Sequence, residues 1–359
     1  MSGAAPKPPS IAINGRAIGP GTPPYIIAEM SGNHNGDINR AFKLLEAAQR
    51  AGADAVKLQT YTADTITIDH HGPEFMVEGG LWDGRRLYEL YQEAHTPWEW
   101  HKPLFDKARA LGITVFSSPF DPTAVDFLES LEAPAYKIAS PEVVDTPLIR
   151  YVAQTGKPMI MSTGMATLDE IGAAVDTART AGCTQFVLLH CTAAYPAEPR
   201  DANLASIADL AARFGATVGL SDHTMGTVVP VTAIALGATV IEKHFTLARA
   251  DGGVDSAFSL EPAELKELVD HARIAQSAIG APAHAPIRAE QSVLKNRRSL
   301  YVVAPVGRGE VFTPLNVRSI RPANGLPPRL LDAVLGRTAA RDIAFGEPLA
   351  REMIEGGLD

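Results

Sequence analysis

The chain has 359 residues, 46% hydrophobic and 20% charged, which suits an ordinary globular core and excludes a disordered chain. Its 32 Lys plus Arg against 41 Asp plus Glu give a net charge of −9, and no long block of like charge occurs, so no nucleic-acid partner is expected. Two cysteines, Cys183 and Cys191, leave no disulfide framework.

Residues 1–24 read as an N-terminal extension. Its opening, MSGAAPKPPS, lacks the apolar core of a signal peptide. The uncharged run Thr224–Ile241 holds four Thr, two Gly and a Pro, and reads as turn, buried helix and strand, not as a membrane span. The expectation is a cytoplasmic protein with no membrane partner.

From residue 25 short apolar runs alternate with helical patterns. Strands are predicted at Tyr25–Glu29, Ala55–Gln59, Thr114–Ser117, Ala135–Ile138, Pro158–Met161, Phe186–His190, Thr217–Ser221 and Val240–His244. Helices are predicted between and after them, at Asn39–Ala51, Pro97–Leu111, Ala124–Leu131, Pro147–Thr155, Leu168–Ala181, Leu204–Phe214, Val229–Leu236 and Pro262–Ile279. In the first, Phe42, Leu45 and Gln49 recur at helical spacing beside Leu44 and Ala48. Gly52 and Gly112 are placed to cap their helices. Eight strand–helix units over residues 25–280 predict an α/β fold, a (β/α)8 TIM barrel.

The strands begin apolar and end polar. Glu29, Lys57, Gln59, Lys137, Ser140, Ser162, His190, Ser221, His223, Glu242 and His244 all fall at or just past strand C-termini, the end where a barrel carries its active site. After the second strand, residues 60–96 make an excursion long enough for a lid or specificity element. Residues 281–298 form a Pro/Ala-rich linker, and residues 299–359 read as a compact β-rich module with Gly-containing turns. That module is too small to bury much core by itself and should pack on the barrel or on a second chain.

His223 in GLSDHT and His244 in VIEKHF end adjacent strands about 4.8 Å apart, close enough for one ion. Imidazole nitrogens suit Mn2+, Fe2+ or Zn2+, with water and substrate completing a Lewis-acid site; the alternative is a hydrogen-bonded pair of core histidines. Lys57 in AVKLQT and Lys137 in AYKIAS follow apolar runs, where an unpaired ammonium is costly. A Glu partner, an anionic ligand and a Schiff-base role are the three readings. Ser118, Ser140, Ser162 and Ser221 lie on loops of a kind that cradles phosphate. Glu29 is read either as an internal ion pair with one of the lysines or as a group that orients substrate or shifts protons. Cys191 is set aside as a nucleophile, because no His–Cys pairing is implied and a buried free thiol is ordinary.

The motifs IIAEMSGNHNGD, AGADAVKLQTY, FSSPFD, YKIASPE, MSTGM, HCTAAYP, GLSDHT, EKHF and RPANGLPP run the length of the chain. Together they resemble the sialic acid synthase family, which condenses phosphoenolpyruvate with amino-sugar aldoses to make nonulosonates. Residues 299–359 resemble that family's antifreeze-like SAF domain, which in the family covers the partner's barrel mouth in a domain-swapped homodimer. Within the family, AEMSGNHN, KLQTYTADTITID and DGGVDSAFSLEP follow the pseudaminate branch, whereas sialate synthases typically read AEIGINHNG. Ala193 and the run from Asp255 to Phe258 depart from the sialate pattern at presumed contact positions.

The resemblance implies that His223 and His244 bind a divalent metal, Mn2+ foremost, with Mg2+ or Co2+ as alternatives. It implies that Lys57, Lys137, Ser118, Ser140, Ser162 and Ser221 hold phosphoenolpyruvate. Glu29, Gln59, Tyr195, Glu242 and Asp255 would face the acetamido-sugar or the reacting carbons, and Arg321 would reach the partner's site. The implied acceptor is 2,4-diacetamido-2,4,6-trideoxy-L-altrose. N-acetylmannosamine or a diacetamido-mannose is the alternative, and an aldolase or a silent sugar-binding protein the reading from a different class.

Overall fold

The structure, a computed structural model, describes residues 10–358, which divide into two compact units, one ending at Gly280 and one beginning at Ala281.

The first unit opens with a hairpin inside the stretch read above as an extension. Strands β1 (Ile11–Ile13) and β2 (Arg16–Ile18) pair antiparallel across Asn14 and Gly15, whose φ values of 48° and 76° are the left-handed pair a two-residue turn requires. Ile11, Ile13 and Ile18 then pack with Tyr25, Ile27, Ala55, Phe116 and Val240, which lie in the barrel's lower half. The hairpin is thus part of the barrel's interior core.

Eight parallel strands follow: β3 (Tyr25–Glu29), β4 (Ala55–Thr60), β5 (Thr114–Pro119), β6 (Tyr136–Ile138), β7 (Met159–Ser162), β8 (Phe186–Cys191), β9 (Thr217–Asp222) and β10 (Val240–His244). They pair in chain order, and β10 closes onto β3 with His244 opposite Glu29. The predicted TIM barrel is what forms.

Alternation along each strand sorts the side chains. Ile26, Ala28, Val56, Leu58, Val115, Met159, Met161, Leu188, Val218, Leu220 and Ile241 join the outer core with the helices. The alternate positions face inward and change character upward: Tyr25, Ile27 then Glu29; Ala55 then Lys57 and Gln59; Ala135 then Lys137; Ile160 then Ser162; Val240 then Glu242 and His244. Gly219 belongs to this inner set, and a Cβ there would lie 2.3 Å from the Val240 carbonyl oxygen, so only glycine fits that close approach.

The helices have readable starts. Asp37, Asp121, Asp145 and Thr167 each accept a backbone N–H at a helix N-terminus. Gly52 and Gly112 cap helices Ile38–Ala51 and Trp98–Leu111 with φ of 87° and 69°, as predicted. The buried stripe of Ile38–Ala51 is Ala41, Leu44, Leu45, Ala47, Ala48 and Ala51; Gln49, placed above in the apolar repeat, is exposed. Small alanines let this helix sit close to the strands, so the stripe is broader than its large residues suggest. No helix among the described residues is long and apolar enough to cross a membrane.

In the second unit β11 (Ser299–Val302) pairs antiparallel with β12 (Val317–Ile320). Its own core comprises Leu300, Val302, Val306, Phe312, Val317, Val334, Ile343 and Leu349. Among the described residues the rest of the unit is isolated antiparallel bridges and short helical turns, such as Leu331–Val334. The segment read as a linker contains a 3-10 helix, Arg288–Asn296.

Candidate active site

Charged side chains from strands that are not neighbours meet at the C-terminal end of the barrel. Glu242 Oε1 on β10 accepts from Lys57 Nζ on β4 at 2.9 Å, from Lys137 Nζ on β6 at 3.0 Å and from Ser221 Oγ on β9 at 3.1 Å. Glu29, on the strand between β10 and β4, sets Oε2 3.2 Å from Lys57 Nζ and accepts Gln59 Nε2 on Oε1 at 2.9 Å. All four charged residues are at most 4% exposed, so each needs its partners. Of the three readings of the lysines, the carboxylate partner is therefore observed. An ammonium carries three N–H donors, so this pairing and an anionic ligand are compatible.

The pairings set the charges. Burial alone would raise the Glu242 carboxyl; the ammoniums of Lys137 and Lys57 outweigh it and hold the group well below the usual range. Burial pushes Glu29 up to about 7, with Lys57 opposing and Glu242 adding to the rise. Lys57 is raised because Glu242 and Glu29 outweigh its burial, whereas burial and then the neighbouring Lys57 charge leave Lys137 lowered despite Glu242. The layer thus holds one firm carboxylate, one firm ammonium, a carboxyl raised to about 7 and an ammonium lowered from its ordinary value.

Hydroxyls ring these charges. Ser118 pairs in register with Gln59, and both Ser118 Oγ and Ser162 Oγ are buried with no hydrogen-bond partner among the described residues. Such orphaned hydroxyls are costly unless something else meets them. Ser140 Oγ accepts the Gly164 N–H at 3.1 Å, and a Cβ on Gly164 would lie 2.7 Å from that oxygen. The two loops approach this closely because residue 164 has no side chain.

Beside this layer the rings of His223 and His244 lie 5.4 Å apart. The contact between His223 Nδ1 and the Thr192 carbonyl, 2.9 Å, requires the proton on Nδ1 and leaves Nε2 with a lone pair. Burial pushes His223 down to about 4 and His244 well below its ordinary value, so both rings are neutral. His244 Nδ1 is buried without a hydrogen-bond partner among the described residues, 3.7 Å from Asp255 Oδ2. Two neutral imidazoles, one tautomer fixed by a carbonyl and one nitrogen orphaned, fit a borderline divalent cation better than a hydrogen-bonded core pair. Among the described residues no cluster of three or more His, Cys, Asp or Glu is arranged to hold a metal ion. Cys191 Sγ does approach His223 Nδ1, at 3.9 Å, but that nitrogen is protonated and burial raises the thiol, so the pair is no nucleophile–base couple.

An aromatic wall closes one side. Tyr195 packs on His223 with centroids 4.4 Å apart, and Phe258 on His244 at 4.9 Å. The excursion after β4 contributes Trp82, which packs on Tyr195 at 5.4 Å and Phe258 at 6.4 Å and donates Nε1–H to the Val254 carbonyl at 2.9 Å. Asp255 completes this side: burial pushes its carboxyl up to about 6, opposed by hydrogen bonds from Ser31 and the Gly32 backbone.

The barrel residues predicted for the site are thus gathered at one end. Arg321 is in the second unit, exposed, just beyond β12. Ser31, Trp82 and Glu142 were not singled out from the sequence. Glu142 is half-buried, and burial pushes it up to about 7; the readable signal was a carboxylate within YKIASPE. A cavity of about 670 Å3 lies by the strand starts near Pro24, Thr217 and Thr239 and includes none of these groups.

A parallel barrel with paired lysines and carboxylates, hydroxyls and two neutral imidazoles at its C-terminal end defines an enzyme-type site for an anionic substrate. The NeuB family model matches residues 44–284 and the SAF domain model residues 297–355. The chain belongs to the NeuB family. It is 45% identical over 328 residues to a pseudaminic acid synthase of Campylobacter jejuni, covering 90% of this chain and 95% of that one. With the pseudaminic acid synthase of Helicobacter pylori it shares 43% over 339 residues, 94% and 99% of the two chains. A crystal structure of N-acetylneuraminic acid synthetase from Leptospira borgpetersenii superposes with a TM-score of 0.72 at 30% identity, covering 80% of this chain and 96% of that one.

Proposed function

We propose that the protein condenses phosphoenolpyruvate with 2,4-diacetamido-2,4,6-trideoxy-L-altrose to give pseudaminic acid and phosphate. The observation that carries the reading is the Lys57–Glu242–Lys137 cluster among orphaned hydroxyls, beside two neutral histidines. The choice of sugar follows the two pseudaminic acid synthases that match across nearly the whole chain.

In this reading Lys57 and Lys137 turn their remaining N–H donors to the phosphate and carboxylate of phosphoenolpyruvate, and the hydroxyls of Ser118, Ser140 and Ser162 donate to phosphate oxygens, as does that of Ser221 once it turns from Glu242. Glu242 stays ionised and keeps the two ammoniums aligned. C3 of the enolpyruvyl group forms the new bond to the sugar's aldehyde carbon, whose oxygen takes a proton. Water adds at C2 and gives up a proton, and the C2–O bond to phosphate breaks. Glu29, buried and titrating near 7, is the group suited to move a proton at neutral pH. His223 and His244 would hold a divalent cation, Mn2+ foremost, which when bound supplies Lewis-acid polarisation of the aldehyde. Tyr195, Gln59 and Asp255 would face the sugar, and Arg321 of a second copy would complete the site in a swapped homodimer.

The test is phosphate release from phosphoenolpyruvate with Mn2+ and, separately, the altrose sugar, its mannose-configured isomer and N-acetylmannosamine. Release with the altrose sugar alone supports the reading. Release with another sugar moves the chain to a different acceptor. Borohydride trapping of substrate on Lys137 would replace the condensation with an aldolase.

A further inference from the structure

Ser31 follows β3 with φ of 46°, a left-handed conformation that glycine takes freely and a serine rarely. The residue is 3% exposed, so its hydroxyl must find partners inside the protein. It donates to Asp255 Oδ2, 224 positions away in the loop after β10. It also accepts from Gln59 Nε2 at 3.2 Å, and that same amide reaches Glu29 Oε1 at 2.9 Å. One hydroxyl therefore ties the loops after the first and last barrel strands to the carboxylate layer. The carboxylate it holds lies 3.7 Å from His244 Nδ1.

We infer that Ser31 is a positioning residue for the acceptor sugar: its hydroxyl fixes Asp255 in the sugar half of the site, and the unfavourable backbone is kept for that hydroxyl. The inference rests on the condensation proposed above. If the backbone turn were all that mattered here, glycine would serve better than serine. Activity and stability should therefore separate on substitution.

The experiment compares Ser31→Gly and Ser31→Ala with the full-length wild type. Ser31→Gly removes the hydroxyl and relieves the backbone; Ser31→Ala removes the hydroxyl and keeps the strain. Losing a hydrogen bond to a buried carboxylate should raise KM for the sugar about tenfold or more, with KM for phosphoenolpyruvate within about twofold of wild type. Ser31→Gly should melt at or above the wild-type temperature and Ser31→Ala below Ser31→Gly. An unchanged sugar KM in Ser31→Gly overturns the inference, as does an equal rise in both KM values. If wild type turns over none of the three sugars, the proposed reaction fails separately. A crystal structure of Ser31→Gly then decides: a displaced Asp255 carboxylate upholds the positioning role, and an unmoved one overturns it.

Discussion

Replacing Glu242 by Gln removes the carboxylate that two buried lysines share, of which Lys57 keeps Glu29 at 3.2 Å. Lys57 and Lys137 lie 2.9 and 3.0 Å from the same oxygen and are 4% and 2% exposed, so solvent cannot substitute for the carboxylate. Breaking a buried pair by deleting one partner costs about 3–5 kcal/mol. At about 2 °C per kcal/mol for a large domain, Glu242→Gln should melt roughly 6–10 °C below wild type at pH 7. Burial already holds Lys137 below its ordinary value, and without Glu242 it falls further. The folded state then binds fewer protons than the unfolded chain, so stability rises with pH and the deficit shrinks between pH 7 and 10. Phosphoenolpyruvate should raise the melting temperature more in Glu242→Gln than in wild type, because the anion meets ammoniums that have lost the carboxylate they shared. Differential scanning fluorimetry across pH, with and without phosphoenolpyruvate, reads all three effects. A variant melting within about 2 °C of wild type at pH 7 would refute the reasoning.

Glu29→Gln should abolish any limb near pH 7 in the pH profile of kcat. Because burial lifts Glu29 to about 7, its protonated form stabilises the fold at low pH, and that contribution fades as pH rises through 7; melting curves of Glu29→Gln should lack this slope. Trp82→Ala strips a ring from Tyr195 and Phe258 and should raise KM for the sugar about two- to tenfold while sparing phosphoenolpyruvate, as steady-state kinetics would show. His244→Ala should lose the visible Co2+ absorption and the Mn2+ binding heat of wild type, both measurable without turnover. Equal metal binding by the variant would remove His244 from the metal site.

The barrel was legible because buried parallel strands read as apolar runs and their polar ends coincide. The strands at Tyr25–Glu29 and Val240–His244 match their predicted bounds, whereas β5 and β9 run on through Pro119 and Asp222. Those extensions are Ser118, Pro119 and Asp222, residue types that read as loop; the parallel pairing continues through them. The hairpin at Ile11–Ile18 was readable from Asn-Gly between alternating residues, yet it lay in a stretch read as an extension. Which carboxylate would meet which lysine was not legible. Lys57 and Glu242 sit on either side of β3, and Lys137 reaches Glu242 from β6, so the pairing depends on barrel closure. Ser31 and Asp255 likewise meet only because β10 returns to β3.

The most direct test offers the metal-loaded enzyme phosphoenolpyruvate and equal amounts of the altrose sugar, its mannose isomer and N-acetylmannosamine in one tube, and identifies the nonulosonate by NMR and mass spectrometry. Pseudaminic acid is expected as the dominant product, with one phosphate released per product. A different nonulosonate in excess, or phosphate release without a new carbon–carbon bond, would contradict it.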